Sequence, residues 1–534
     1  MAVDPTWKIS VDLTGDGDFG DANEDVTADV QEVSWGIGFT QAYQHIPMPY
    51  RCSFTLDNGA TNSAATPGRY SPEHASALVG FKPGRAIQIQ STYSATTRIH
   101  STNWIAPDGL RPEPFRYMGE KRTKVECEDW LARAQKYPVA GVSLQVGKRY
   151  NEIVLEILNI LRLYPPATTG YWVLGESILG TSTRLSGGVS DWSSFETGIS
   201  VFPYALDNAP QQKKQVANLY AILKGLAESE RGWIFTGRDG KVVGWNRHHL
   251  LKKTSADTSF SNTFSQMAYD YGADIANVIV GQCHPRTREA ALGSYDLGTL
   301  DKSIPISVSG TAVATIKFAD ASGNPVSSSG IVAPVPTTDY TANTKSDGSG
   351  YDITDKVTCA MVAGAQSAKL TFTNTGTRPG YIVAGTRVRG TDRITDYGQL
   401  ELSAEDIASI SLYGRRPMSI DARELEDADH LQSMINWEMM NRKIPRGCGK
   451  RIGFYPRKSA ALMTQALTRT VGDRVTIIET QTGLSADFYI MGEFHTLRNG
   501  FRDYLCEWVL QPIATLSPWI LGTSRLGTET LLGA

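Results

Sequence analysis

Residues 12–27 read DLTGDGDFGDANEDVT, and the fold turns on what this stretch does after the run WKISVDL at 7–13. Gly15, Gly17 and Gly20 spell G-x-G-x-x-G, the letters of a dinucleotide-binding turn. Asp12, Asp16, Asp18 and Asp21 offer carboxylates to a cation. The same residues also suit the polar tip of a β-hairpin, because Gly and Asp tolerate tight-turn backbone conformations. A dinucleotide turn needs a buried parallel strand before it and a helix after it, whose N-terminus holds the pyrophosphate. Here DANEDVTADV follows without an apolar helical stripe, and the aspartates would repel phosphate. An EF-hand register with Gly17 at loop position 6 puts Asp12 at 1, Thr14 at 3 and Asp16 at 5, but Asn23 at 12, where a bidentate Glu belongs. The expectation is a hairpin loop between two strands, with a weak cation site on its aspartates as the open alternative.

The chain around that loop supports the β reading. WKISVDL, EVSWGIGF, RCSFTLDN and GRAIQIQS alternate with turn clusters as in a sandwich or barrel, and GRYSPEHASALVGFKPGR (68–85) is a connection long enough to pack or bind. Near Tyr150 the period changes. NEIVLEILNILRLY sets Ile153, Val154, Ile157, Leu158, Leu161 and Tyr164 on one helical stripe, stopped by Pro165-Pro166. A second helix is expected from about Gln212 to Arg231, with Val216, Leu219, Leu223 and Leu226 on one face and Gly232 at C′. WIFTGRDGKVVGWNRH then reads as a hairpin turning at Asp239-Gly240. Residues 300–385 become rich in Ser, Thr, Gly, Val and Ala around AVATIKF, KVTCAMV and AKLTFTN. Ser403 with Asp406, and Asp421 with Glu424, suggest capped starts for two more helices, the second reaching Arg442 with Leu425, Ala428, Leu431, Ile435 and Met439 buried. The last stretch is β again: DRVTIIET, then DFYIMGEFHTL turning at Asn499-Gly500 into FRDYLCEWVLQPI. A short echo links YWVLGESILGTSTRL (171–185) with PWILGTSRLGTETLL (518–532).

At 534 residues the chain exceeds one hydrophobic core and implies several domains. Its 41% hydrophobic and 20% charged residues are ordinary for a globular protein, and a net charge of −3 lacks the basic excess of a nucleic-acid-gripping surface. Cys52, Cys127, Cys283, Cys359, Cys448 and Cys506 are widely spaced, without a C-x-x-C, and read as reduced, mostly buried thiols of a chain made in a cytosol. MAVDPTWKIS has neither a basic nor an apolar leader region, and the apolar run from Ile153 to Leu163 is broken by Glu156, Asn159 and Arg162, so neither a secretory signal nor a membrane span is expected.

Catalytic chemistry finds little support. His248-His249, read as strand residues, would point to opposite faces, and Cys283-His284 are too close in sequence to meet as nucleophile and base, so a buried thiol beside a surface imidazole is expected. Glu126/Glu128 and Glu405/Asp406 read as unaccompanied surface pairs. No G-x-S-x-G, H-E-x-x-H or G-x-x-x-x-G-K-[ST] occurs. The basic runs GEKRTK (119–124), YGRRP (413–417) and NRKIPRGCGKR (441–451) lack interleaved aromatics and read as solvated edges or subunit contacts. The expectation is a protein without catalytic residues, cofactor or dedicated metal site, and not an enzyme.

The order of blocks resembles one family. W-x-I-x-V-D, GDGDF and EDVT, followed by SWGIGF, RCSFTLDN, GRYSPE and KPGR, resemble the N-terminal domain of the tail-tip or baseplate hub proteins of long-tailed bacteriophages. ESERGWIFTGRDGKVVGWNRH, YTANTKSDGSGYDITDKVT with LTFTNTGT, EDIASISLYGRRPMSID, and GDRVTIIETQTGLSADFYIMGEFHTL match further blocks in the family's order. The resemblance implies an α+β, mainly β chain with two tail-tube-like β-barrel domains at its ends, an α+β domain and a β-sandwich-like insertion between. The implied boundaries are 1–135, 136–299, 300–390, 391–465 and 466–534. It further implies a homotrimeric virion protein at the tail tip, whose six barrels adapt a sixfold tube to a threefold tip. Implied partners are the distal tail protein or tail tube, the tape-measure protein and a central fibre or tip protein, with DNA only a passenger during ejection into the host cell. The rival expectation is host-surface binding by residues 300–390, whose Tyr and Trp residues are Tyr340, Tyr351 and Tyr381 with no Trp.

Overall fold

The computed structural model describes residues 4–49, 51–114, 121–139, 142–162, 193–206, 218–320, 323, 325–364, 366–396, 398–514, 517–518 and 530–531. The echo at 171–185, most of its counterpart at 518–532, and the stop at Pro165-Pro166 lie outside them.

Strand dominates, and one sheet of twelve strands organises the chain. Its path runs Thr6–Val11, Ala86–Tyr93, Thr96–Glu113, Arg122–Glu128, Arg51–Asp57 and Val30–Gly38, then crosses to Leu484–Arg498, Asp503–Pro512, Gly447–Phe454 and Gln266–Tyr271. Arg474–Glu479 pairs with the first part of Leu484–Arg498, and Thr258–Ser261 lies parallel beyond it. The crossing is antiparallel, with Val33 opposite Leu497, Trp35 opposite His495 and Gly38 opposite Gly492. A Cβ on Gly492 would sit 2.1 Å from the Phe39 carbonyl, so the two segments approach this closely only with glycine there. Beneath the joined sheet lies one core holding Trp7, Ile9, Trp35 and Phe54 from the N-terminal strands and Ile452, Val475, Phe488 and Trp508 from the C-terminal ones.

No sheet closes on itself among the described residues, so the two separate barrels expected at the chain ends are not seen. The nearest approach to closure is the segment before Val30–Gly38: Val26 N–H donates to Ile9 O at 3.0 Å, and Val11 N–H donates to Glu24 O at 2.9 Å. The connection 68–85 packs rather than projecting, with Tyr70 and Phe81 buried and the Tyr70 hydroxyl donating to Asp29.

A second core lies in the α+β region, among the helices Trp130–Lys136, Tyr150–Arg162, Leu219–Glu230 and Ala428–Arg442. Ile153, Val154, Ile157 and Leu158 are buried, as their spacing predicts. Val278–Cys283 forms the centre of a three-stranded sheet, flanked by Leu400–Glu405 and Pro417–Asp421. That sheet corrects both expected helix starts. Ser403 belongs to an edge strand, and Asp406 caps the short helix Ile407–Tyr413 by accepting from Ser409 N–H. Asp421 ends a strand paired in parallel with Val278–Cys283, and Asp427 caps the long helix. In both places tertiary pairing overrides a local capping pattern. The second helix is described from Leu219 behind an Asn218 cap, its expected start near Gln212 and Val216 lying outside the described residues, and its left-handed terminal residue is Arg231 (φ 57°) rather than Gly232. Gly232 has another reason to be glycine: its Cβ would lie 2.3 Å from Trp245 O.

The insertion has its own core, including Leu297, Ile316, Tyr340, Leu370 and Phe372. Thr311–Lys317, Ser367–Asn374 and Val357–Ala363 form its main sheet, where AVATIKF, AKLTFTN and KVTCAMV place them. The antiparallel ribbon Arg286–Thr299 with Arg387–Asp396 connects it to the rest of the chain.

Candidate functional site

The opening loop is a hairpin tip. Gly15 (φ 84°) and Gly17 (φ 88°) take the left-handed conformations of a tight turn, and only the single-turn helix Thr27–Asp29 follows, so no helix is positioned to hold a pyrophosphate. Two buried carboxylates organise it. Asp12 accepts from Gly15 N–H and, at 2.9 Å, from Gly17 N–H; Glu24 accepts from Leu13 N–H at 2.8 Å and Asp21 N–H at 3.1 Å. Burial raises the pKa of both carboxyls, against the pull of those amides. The carboxylates that come within 4.8 Å of one another are the exposed Asp16, Asp18 and Asp21; Asp12 is committed to backbone amides instead. The loop also touches its own chain, since Phe19 packs against the α+β core.

The hairpin Trp233–Thr236 with Val242–Trp245 packs Ile234 and Val242 into the α+β core and Trp233 and Phe235 against Ile37, Phe39, Met491 and Val509 of the sheet. At its tip Arg238 Nε donates to Glu493 Oε1 at 2.8 Å, and the guanidinium reaches Leu467 O and Arg469 O. Burial alone would raise the pKa of Glu493, but Arg238 and a hydrogen bond from His495 outweigh it and hold it at about 2. His495 stacks on Trp35 at 4.8 Å, and its Nδ1 lies 2.9 Å from the Tyr504 hydroxyl. Beside this cluster Ser91 Oγ lies 2.7 Å from His100 Nε2, a hydroxyl and imidazole pair. Both residues are buried, His100 against Trp7 and Trp35, so no substrate reaches them.

On the other side of the hairpin a cavity of about 160 Å³ opens between the sheet and the long helix Ala428–Arg442. Its walls carry Arg231, Arg247, Arg442 and Arg446, the imidazoles of His45, His248 and His430, and one acid, Glu438. Trp233, Trp437, Met434 and Leu250 add apolar surface. Arg231 and Arg442 both pair with Glu438, which burial would raise but the two guanidiniums hold at about 2. Arg446 Nε donates to Asp274 at 2.8 Å, the Tyr43 hydroxyl donates to the same carboxylate at 3.1 Å, and Arg442 lies 3.7 Å over the Tyr43 ring. The histidines are held neutral: burial and then Arg231 bring His45 to about 3, burial and then Arg247 bring His430 to about 4, and the same two causes lower His248.

The remaining sequence candidates fall elsewhere. His248 and His249 lie in a turn rather than a strand; His248 lines the cavity, while His249 stacks on Trp245 at 3.8 Å and pairs with Glu196. Cys283 is a buried thiol whose pKa burial raises, beside a half-buried His284. Glu126 and Glu128 are accompanied after all: Glu128 is buried with Arg133 at 3.3 Å and also pairs with Lys136, and Glu126 meets Arg111 and Lys124. They look unaccompanied in sequence because three of these partners, Arg111, Arg133 and Lys136, come from outside the strand. Glu405 pairs with Arg415, and Asp406 is the helix cap. The run 441–451 is occupied by ion pairs, Lys443 with Asp406, Lys450 with Asp270 and Arg451 with Glu507. In the insertion Tyr340 is buried and Tyr351 is exposed beneath Arg378.

No protein-family model and no curated protein matches this chain. Solved structures align with it over nearly its whole length. The 43 kDa tail protein of prophage MuSo2 from Shewanella oneidensis aligns with TM-score 0.43 and 9% identity over 95% of this chain and 98% of its own. A tail protein from Neisseria meningitidis MC58 gives 0.44 and 8% over 95% and 96%, and a Francisella PdpA–VgrG complex gives 0.35 and 11% over 98% of this chain and 54% of the other. At such scores and identities the likeness assigns no residue a role.

Sequence reasoning missed the cavity. Its charged walls come from Arg231 at a helix end, Arg247 and His248 in a turn, and His430, Glu438 and Arg442 on a distant helix. No local motif connects those segments; the available signal was the density of Arg and His in GWNRHH and MMNRK.

Proposed function

We propose that this chain is a structural protein of a phage tail tip, the hub that joins a sixfold tube to a threefold tip as a homotrimer. The observation carrying this reading is the pairing of Val30–Gly38 with Leu484–Arg498. It sets an N-terminal and a C-terminal β unit side by side in one sheet, so three chains would present six β units around an axis, which is what a symmetry adaptor requires. The ordered family blocks in the sequence support the same reading, under which the chain would divide at 1–135, 136–299, 300–390, 391–465 and 466–534. The two end units would then be tube-related barrels completed in the assembly. The distal tail protein or tube, the tape-measure protein and a central fibre would be its neighbours in the virion. A net charge of −3 suits a conduit through which DNA passes without being held. Such a role needs no catalytic residue or cofactor.

The test is the assembly itself. Light scattering on the purified protein should give three times the 58.3 kDa chain mass, and electron microscopy a threefold ring with a central opening. A monomer at micromolar concentration, or tight binding of duplex DNA at physiological salt, would contradict the reading. The rival, host-surface binding through the insertion, rests on its separate core and ribbon tether. Deleting residues 300–390 should leave assembly intact; loss of adsorption alone would favour the rival.

A further inference from the structure

The cavity beside Trp437 holds more positive charge than its own acid neutralises. Arg231 and Arg442 share Glu438, and Arg446 is held by Asp274. Arg247 makes no direct ion pair among the described residues: the acid whose charge it feels, Glu230, is taken up by the N–H groups of Ile199 and Ser200, its own Nη1 donates to Ser200 Oγ at 3.2 Å, and its Nε is shielded from solvent without an acceptor. Two imidazoles stand close enough to feel its charge, those of His248 and His430, and neither ring has a hydrogen-bond partner among the described residues. A third, His45, has Nδ1 against Gly232 O at 2.8 Å and a shielded Nε2 with no partner. A largely buried guanidinium with no carboxylate in direct contact, beside the neutral rings of His248 and His430 that each carry one N–H, leaves donors in the empty protein that an oxyanion would satisfy. The remaining wall is apolar, from Trp233, Trp437, Met434 and Leu250, and the volume of about 160 Å³ is on the scale that accommodates one benzene-sized ring.

We propose that this cavity binds a small organic oxyanion, a carboxylate or phosphate head on a body no larger than one aromatic ring, with Arg247 supplying the charge and His248 and His430 the flanking N–H donors. The apolar wall takes the body, so an inorganic anion would gain only part of the interaction. This site is independent of the tail-tip reading, because it is built within one chain.

The test is calorimetric titration of the full-length protein with benzoate and with phenyl phosphate, and with benzyl alcohol as the uncharged counterpart. One or both anions should bind with Kd about 1 mM, a reasonable affinity for ligands of this size, and the two anion arms decide which head group is preferred. Benzyl alcohol should bind at least ~10-fold more weakly, and Arg247→Met should weaken anion binding by ~10-fold or more while Arg247→Lys retains most of it. Ser433→Trp, which fills the cavity without touching its charges, should abolish binding and gives a second route if Arg247→Met fails to fold. Absence of saturable binding by both anions, equal affinity for benzyl alcohol, or unchanged anion binding in a folded Arg247→Met or Ser433→Trp protein would overturn the proposal.

Discussion

The two ends of the chain and the insertion use β-structure in opposite ways. The ends are interwoven: residues near position 35 pair with residues near 495, and Trp35 stacks on His495 over a common core. The insertion returns to its starting point, because the ribbon Arg286–Thr299 with Arg387–Asp396 brings entry and exit together and its core lies between them. A defect at the joined ends should therefore spread through both β units and the hairpin packed on the sheet. A defect in the insertion should stay there.

The strongest way to break that contrast is at Glu493. Glu493→Ala leaves Arg238 buried without its partner, and removing one member of a buried pair costs about 3–5 kcal/mol. Urea unfolding followed by far-UV dichroism should show the main transition shifted by that amount, with Arg238→Met/Glu493→Leu recovering part of it. A loss below about 1 kcal/mol would mean the hairpin tip does not clamp the sheet. In the insertion, Phe372→Ala removes a fully buried ring and should cost that unit about 3–5 kcal/mol. Residues 300–390 contain no Trp, so tryptophan fluorescence reports only on the rest of the chain and its transition should not move. If it moves with the mutation, the insertion is not an independent unit.

Acid sharpens the same contrast with a smaller effect. Glu493 and Glu438 are held at about 2 in the folded protein, below the usual Glu value near ~4.3. A depressed carboxyl contributes stability at pH above its unfolded value and loses it as pH falls through its folded one. The joined sheet and the cavity wall should therefore weaken between about pH 4.5 and pH 2, by up to about 3 kcal/mol for each group, and Glu493→Gln should flatten that part of the stability curve. A profile unchanged by Glu493→Gln would remove the Arg238 pair as its cause.

How much of this was legible in the sequence follows from the range of the interactions. The strands Thr311–Lys317, Val357–Ala363 and Asp503–Pro512 lie where alternation and turn residues put them, because each buries one face against neighbours in the same region. The capping patterns at Ser403 and Asp421 misled, because Leu400–Glu405 and Pro417–Asp421 both pair with Val278–Cys283, more than a hundred residues earlier. The joining of the two ends was invisible for the same reason: no period within Val30–Gly38 names Leu484–Arg498 as its partner. Arg247 reads as one more basic residue in NRHHL until the helix carrying His430 is folded against it.

The opening loop repeats the contrast within a few residues and gives the smallest effects. Asp12 is buried and its carboxylate receives two backbone amides, so Asp12→Ala should cost about 1–3 kcal/mol by leaving those donors unpaired. Asp18 is exposed and accepts only from Gly20 within its own turn, so Asp18→Ala should change stability by about 0.5 kcal/mol or less. Calcium distinguishes a hairpin tip from a cation site at the same residues. With Asp16, Asp18 and Asp21 serving as a polar tip, millimolar calcium and chelator should give the same thermal midpoint, and the Asp16→Asn/Asp18→Asn/Asp21→Asn protein should match the parent in both. A midpoint that rises with calcium in the parent but not in the triple variant would show that these three carboxylates hold an ion, and that Asp12 shapes a cation loop rather than a plain turn.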